Sequence, residues 1–143
     1  MDVSRLIEGR ASSDIISCTI DTPVREAISM LASKRIGALP IMEGGRIAGI
    51  FSERDVIYRL SNEGDACLSR PVGEVMTSPA ITIERSTPIL DALSLMTKRR
   101  IRHLPVTDGQ AMCGFISIGD LVKARLDEIQ HEAQAMREYI QTA

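Results

Sequence analysis

A gap-free internal repeat constrains this chain more than any other feature. RIGALPIMEGGRIAGIFSERD, beginning at Arg35, returns 65 positions later as RIRHLPVTDGQAMCGFISIGD, beginning at Arg100. The correspondence starts upstream, where Thr22-Pro23 matches Thr87-Pro88 and Ala27 matches Ala92, and it closes on Ser52 with Asp55 against Ser117 with Asp120. From Thr22 to Val56 against Thr87 to Leu121, 12 of the 35 pairs are identical, and 10 of the other 23 exchange one apolar residue for another. A duplicated folded unit leaves that mark. Units of about 60 residues bury too little surface to stand alone, so the two copies must share a core.

Each copy reads as strand, helix, strand, strand, helix. Ile15 to Ile20 and Ala80 to Ile83 are short apolar, β-branched runs that predict strands. Thr22-Pro23 and Thr87-Pro88 predict helix starts, with Thr as N-cap and Pro in the first turn. Val24, Ala27, Ile28 and Leu31 then fall on one helix face, as do Ile89, Ala92, Leu93 and Met96. Pro40 and Pro105 lie inside the following strands and demand an edge or an irregularity there. Glu43-Gly44-Gly45 and Asp108-Gly109-Gln110 predict hairpin turns, and the return strands, Ile47 to Phe51 and Met112 to Ile116, run into Ser-x-x-Asp at a strand-to-helix junction. A short apolar turn precedes each copy: Val3, Leu6 and Ile7 before the first, PVGEVMT at 71–77 before the second. The chain divides into a first repeat with its lead-in (1–62), a polar linker (63–70), a second repeat (71–126) and a helical extension (127–143). In that extended helix Val122, Leu126, Ile129, Ala133, Met136 and Ile140 are spaced 4, 3, 4, 3, 4, a seam that suits a partner helix or, alternatively, the protein's own sheet or helices.

The totals exclude several function classes. No apolar run approaches the roughly 20 residues of a membrane span, and MDVSRLIEGR lacks the apolar region of a signal peptide, so a cytoplasmic setting without membrane attachment is expected. Cys18, Cys67 and Cys113 are odd in number, without metal-type spacing, and read as free buried thiols. A net charge of −2 argues against nonspecific nucleic-acid binding. His103 and His131 are the 2 histidines, and neither a G-x-S-x-G elbow, a phosphate-binding G-x-x-x-x-G-K-[ST] loop nor a G-x-G-x-x-G fingerprint is present. This inventory points away from an enzyme, from a metal site and from a required cofactor.

What recurs is a hydroxyl and a carboxylate three residues apart at a helix start, Ser52 with Asp55 and Ser117 with Asp120. Such a helix end favours an anion, and an aspartate there can accept two hydrogen bonds from a sugar diol. A serine N-cap with a first-turn aspartate accounts for one such motif equally well.

The doubled order of T-P, helix, A-L-P-I or H-L-P-V, hairpin, then G-I-F-S-E-R-D or G-F-I-S-I-G-D resembles a tandem pair of CBS domains, the Bateman module. The ending RRIRHLPV, GFISIGDLVKARLDE and a long last helix is similar to small stand-alone bacterial CBS-pair proteins and to the regulatory insert of IMP dehydrogenase. The resemblance implies an α+β (α/β) fold, two β-α-β-β-α repeats packed sheet to sheet about a pseudo-twofold axis, with the extended C-terminal helix. It also implies two clefts that take adenosine-containing ligands, AMP foremost, with ATP, ADP, NAD or S-adenosylmethionine as alternatives. One cleft would combine Ser117 and Asp120 with Ile15, Ile16, Gly37 and Ala38. The other would combine Ser52, Arg54 and Asp55 with Ala80, Ile81, Arg102 and His103. Because Arg102 and His103 stand where the first copy has Gly37 and Ala38, the second cleft is expected to favour more phosphate charge, against the opposing charge of Glu53. With 3% aromatic residues, adenine would lie among aliphatic side chains. The implied role is a non-enzymatic adenine-nucleotide sensor in signal transduction, a homodimer acting through a regulated protein. The rival readings are a structural dimerisation module without a ligand and a nucleic-acid binder using Lys98 to Arg102.

Overall fold

The computed structural model describes residues 1–142. Two three-stranded sheets carry the duplication. β1 (Cys18–Thr19), β2 (Ala38–Glu43) and β3 (Arg46–Ser52) form one; β4 (Ile83–Glu84), β5 (His103–Asp108) and β6 (Ala111–Ser117) form the other. In each, the first strand runs parallel and the third antiparallel to the central one. Helices α1 (Ser4–Ile7), α2 (Val24–Lys34), α3 (Glu53–Glu63), α4 (Val72–Val75), α5 (Ile89–Arg99) and α6 (Ile118–Thr142) complete an α+β fold of two β-α-β-β-α repeats whose sheets meet through β3 and β6.

The first strands are shorter than the apolar runs predict, and proline is the reason. Cys18 pairs with Ile41 and Ile83 with Val106, so the next residue back would face Pro40 or Pro105. Neither proline has an N–H to continue a ladder. Ile15 and Ile16, and likewise Ala80 and Ile81, therefore lie outside the strands. The prolines sit in the central strands of their sheets, at the points where only one neighbour is paired.

The threonines do not cap. Helices α2 and α5 begin one residue later than expected, with Pro23 and Pro88 at the N-cap positions. Thr22 Oγ1 instead accepts from the Thr19 N–H at 3.3 Å and Thr87 Oγ1 from the Glu84 N–H at 3.1 Å, closing the turn between strand and helix. Both helices bury the anticipated stripe: Val24, Ala27 and Leu31 in one, Ile89, Ala92 and Met96 in the other.

Each lead-in crosses to the other copy. Val3, just before α1, and Ile7 within it join the core of the second repeat with Ile89, Leu104 and Ile116; Val72 and Val75 of α4 join the core of the first with Leu39, Ile41 and Phe51. The hydrogen bonds repeat with the same symmetry. Val3 N–H donates to Thr87 O at 2.9 Å as Val72 N–H does to Thr22 O at 2.7 Å, and Ile89 N–H donates to Met1 O at 3.2 Å as Val24 N–H does to Arg70 O at 2.9 Å. Two matching glycines permit the crossing. A Cβ on Gly114 would stand 2.5 Å from Ile7 Cγ2, and one on Gly49 would stand 2.6 Å from the Thr77 carbonyl oxygen. Neither copy completes its core without the segment preceding its twin.

The expected polar linker is ordered. Residues Gly64–Ser69 form a 3-10 turn that buries Cys67, and Arg70 pairs with Glu63 and Glu74. Cys18 and Cys113, expected to be buried, are half-buried instead.

Candidate functional site

The two Ser-x-x-Asp junctions fold alike. Ser52 N–H donates to Asp55 Oδ2 at 2.8 Å and Asp55 N–H to Ser52 Oγ at 3.4 Å; Ser117 N–H donates to Asp120 Oδ2 at 2.9 Å and Asp120 N–H to Ser117 Oγ at 3.2 Å. Both pairs are reciprocal N-terminal caps, so helix capping alone accounts for half of what each aspartate does.

The other carboxylate oxygens differ. Asp55 Oδ1 accepts from Thr77 Oγ1 at 2.9 Å, which fastens α3 to the segment that follows α4. Among the described residues Asp120 Oδ1 has no such donor, and Asp120 lines a cavity of about 290 Å³. That volume stands near the lower end of the roughly 300–1,000 Å³ typical of small-molecule sites. Ile15, Ile16 and Ala38 line it with apolar surface, and Ser117 lies beside Asp120. Ile15 and Ile16 reach this position because the proline at residue 40 ends the ladder below them.

Gly37 is not among the lining residues. Its missing side chain leaves room for His103 instead, whose Cε1 would stand 3.3 Å from a Cβ there.

His103 is the principal change from expectation. It lines the Asp120 cavity rather than standing with Asp55. The irregularity between Val106 and Thr107 shifts the hairpin register by one, so His103 lies opposite Ser117, and partners directly opposite present their side chains to the same face. Its ring stacks on Phe115 at 5.6 Å between centroids and 13° between planes. Burial pushes the imidazole below its ordinary value of 6.5 and nearby Arg102 adds to the fall, while Asp120 and Glu53 pull the other way. Arg10 and Asp14 also line the cavity. Sequence reasoning missed Arg10 and Asp14 because a repeat shows which residues correspond but not that the lead-in crosses to the other copy; Phe115 was also missed, though strand alternation puts it on the face of Ser117.

Several members of the second group make structural contacts. Arg54 donates to the Arg100 carbonyl oxygen at 3.1 Å, where the α5 C-terminus welcomes a cation. Ile81 packs on the core of the second repeat, Ala80 is half-buried beside it in the chain, and Arg102 is exposed. Ser52 Oγ also donates to Asp55 Oδ2 at 3.1 Å. Among the described residues no group of three or more His, Cys, Asp or Glu is placed to hold a metal ion, and no helix is long and apolar enough to cross a membrane.

Known proteins agree with this architecture. The family model for the CBS domain matches residues 3–62 and 72–127. The mitochondrial CBS domain-containing protein CBSX3 of Arabidopsis thaliana is 36% identical over 145 residues, covering 98% of this chain and 70% of its own. A CBS-domain protein of Burkholderia ambifaria MC40-6, described as acting in signal transduction, superposes with a TM-score of 0.80 at 36% identity, over 89% of this chain and 95% of that one. CBSX2, solved in complex with AMP, superposes with a TM-score of 0.75 at 25% identity, over 88% of this chain and 96% of its own. Two matched copies, each completed by the other's lead-in, make this chain a member of the CBS domain family, a CBS pair within one polypeptide.

Proposed function

We propose that this chain is a non-enzymatic regulatory module that binds an adenine nucleotide beside Asp120 and signals occupancy, as a homodimer, to a regulated protein. One observation carries the reading: a carboxylate held at one oxygen by its own helix turn, with no donor to the other among the described residues, lines a largely apolar cavity. Asp120 would grip the ribose diol, and Ile15, Ile16 and Ala38 would sandwich the base. The charges favour few phosphates. Arg10 is the one fixed cation among the lining side chains, against Asp14 and Asp120, with His103 biased toward its neutral form. AMP is therefore preferred to ATP, ADP or NAD. The AMP bound to CBSX2 supports the ligand class.

Asp55, held by three donors from Ser52 and Thr77, has less to offer, so we assign ligand binding to the Asp120 cleft first. We read the setting as cytoplasmic from the free cysteines.

Thermal melting against AMP, ADP, ATP, NAD and adenosine tests the reading. The largest upward shift is expected with AMP, since a ligand bound only by the native state raises its stability by mass action. No shift with any of them at millimolar concentration would leave the structural dimerisation module as the better account.

A further inference from the structure

Helices α3 and α6 leave identical Ser-x-x-Asp junctions, yet α3 stops after 11 residues and α6 runs for 25. Within the repeat α6 buries Leu121 and Ala124 against its own body. At 3.6 residues per turn, the line through Val122, Leu126, Ile129, Ala133, Met136 and Ile140 lies about 130° round the helix from that buried face. It faces away from the protein's own core. The exposures agree: Val122 44%, Leu126 56%, Ile129 45%, Met136 59% and Ile140 66%. Nothing among the described residues covers an apolar line that continues without a break from the repeat into the extension.

The charges beside that line select both its occupant and its direction. With Leu126, Ala133 and Ile140 at one seam position and Val122, Ile129 and Met136 at the other, the flanks carry Lys123, Gln130 and Arg137 on one side and Arg125, Glu132 and Tyr139 on the other. In a parallel, in-register pair, Glu132 stands opposite Arg137 of the partner subunit, twice by symmetry. Arg125 meets neutral Gln130 of the partner subunit. In the antiparallel arrangement that keeps the whole seam in contact, Lys123 faces Arg137 of the partner subunit and Glu132 faces Glu132 of the partner subunit. Every fully charged pair is then repulsive.

We propose that two copies of this chain pair through α6 as a parallel, in-register coiled coil from Val122 to Ile140, locked in direction by Glu132 and Arg137. This deepens the homodimer reading and rests on it, but it is independent of the nucleotide reading. Its consequence is geometric. Each α6 starts at an Asp120 cleft, so the two clefts stand at the same end of the coil, each one helix away from its partner.

Light scattering and cysteine cross-linking on the full chain test this. Wild type is expected as a dimer and Ile129→Glu, at an exposed position, as a folded monomer by circular dichroism. Met136→Cys is expected to form a disulfide with its own counterpart, identified by mass spectrometry of the linked peptide. In the antiparallel pair two such positions would be about 15 Å apart along the axis, and Met136→Cys would link instead to Leu126→Cys in a mixed sample. Glu132→Lys is expected to weaken dimerisation about tenfold at low salt, and adding Arg137→Glu to restore it. A monomeric wild type would overturn the pairing itself. A dimer that survives Ile129→Glu would overturn the seam, and linkage confined to the mixed 136–126 pair would overturn the direction. Melting shifts with AMP stand apart from all of these outcomes.

Discussion

Removing the Asp120 carboxylate deprives the Ser117 backbone N–H of its acceptor at the start of α6, so Asp120→Ala should cost about 1 kcal/mol by urea unfolding. Asp55→Ala loses the matching cap and also the Thr77 hydroxyl, and should cost about 2 kcal/mol. Equal losses would deny the Thr77 contact any weight. His103 adds a pH signature. Because burial depresses its folded value below 6.5, the unfolded chain takes up the proton first as pH falls, and native stability declines through the window just under 6.5. His103→Gln should flatten the melting temperature between about pH 5 and 7 relative to wild type. An unchanged slope would mean that Asp120 and Glu53, which favour the charged ring, offset its burial. The Ser-x-x-Asp pairs were legible because type and spacing define a cap. The partner of His103 was not, since the extra residue Cys113 in β6 sets Ser117 opposite it and leaves no trace in the residue pattern.

At the level of elements, the repeats, helix stripes and two-residue hairpins were all readable, because each depends on local periodicity or on glycine. Gly44 and Gly45 both take positive φ (57° and 80°), as a tight hairpin between Glu43 and Arg46 requires. The crossing of α1 and α4 was invisible, for periodicity says that Val3 and Ile7 are buried and not in which core. The glycines carry its test. Gly114→Ala drives a Cβ into the Ile7 side chain and should destabilise by about 1–3 kcal/mol. Ile7→Ala should cost about 2–4 kcal/mol by itself. Their combination should cost clearly less than the two added together, because the second change removes the clash made by the first. Additive losses would contradict the crossed packing. Gly49→Ala meets the Thr77 main-chain oxygen, so no side-chain truncation should rescue it.

At the scale of the whole molecule, a cavity lies at the start of the longest helix. Asp120 stands in the first turn of α6, and that helix ends far from the cleft on an uncovered apolar seam. A ligand that prefers one setting of that first turn would shift the population of helix orientations by its difference in affinity for them, and by no more than that. The family resemblance implied two clefts made unequal by Arg102 and His103; the structure adds a second difference, since Asp55 Oδ1 accepts from Thr77 while among the described residues Asp120 Oδ1 has no such donor. Titration calorimetry with AMP on wild type and on Asp120→Ala tests the central claim most directly. The account predicts a saturable heat for wild type that disappears in a folded Asp120→Ala variant and persists in Asp55→Ala. The same heat in Asp120→Ala, or none in wild type at millimolar AMP, would contradict it.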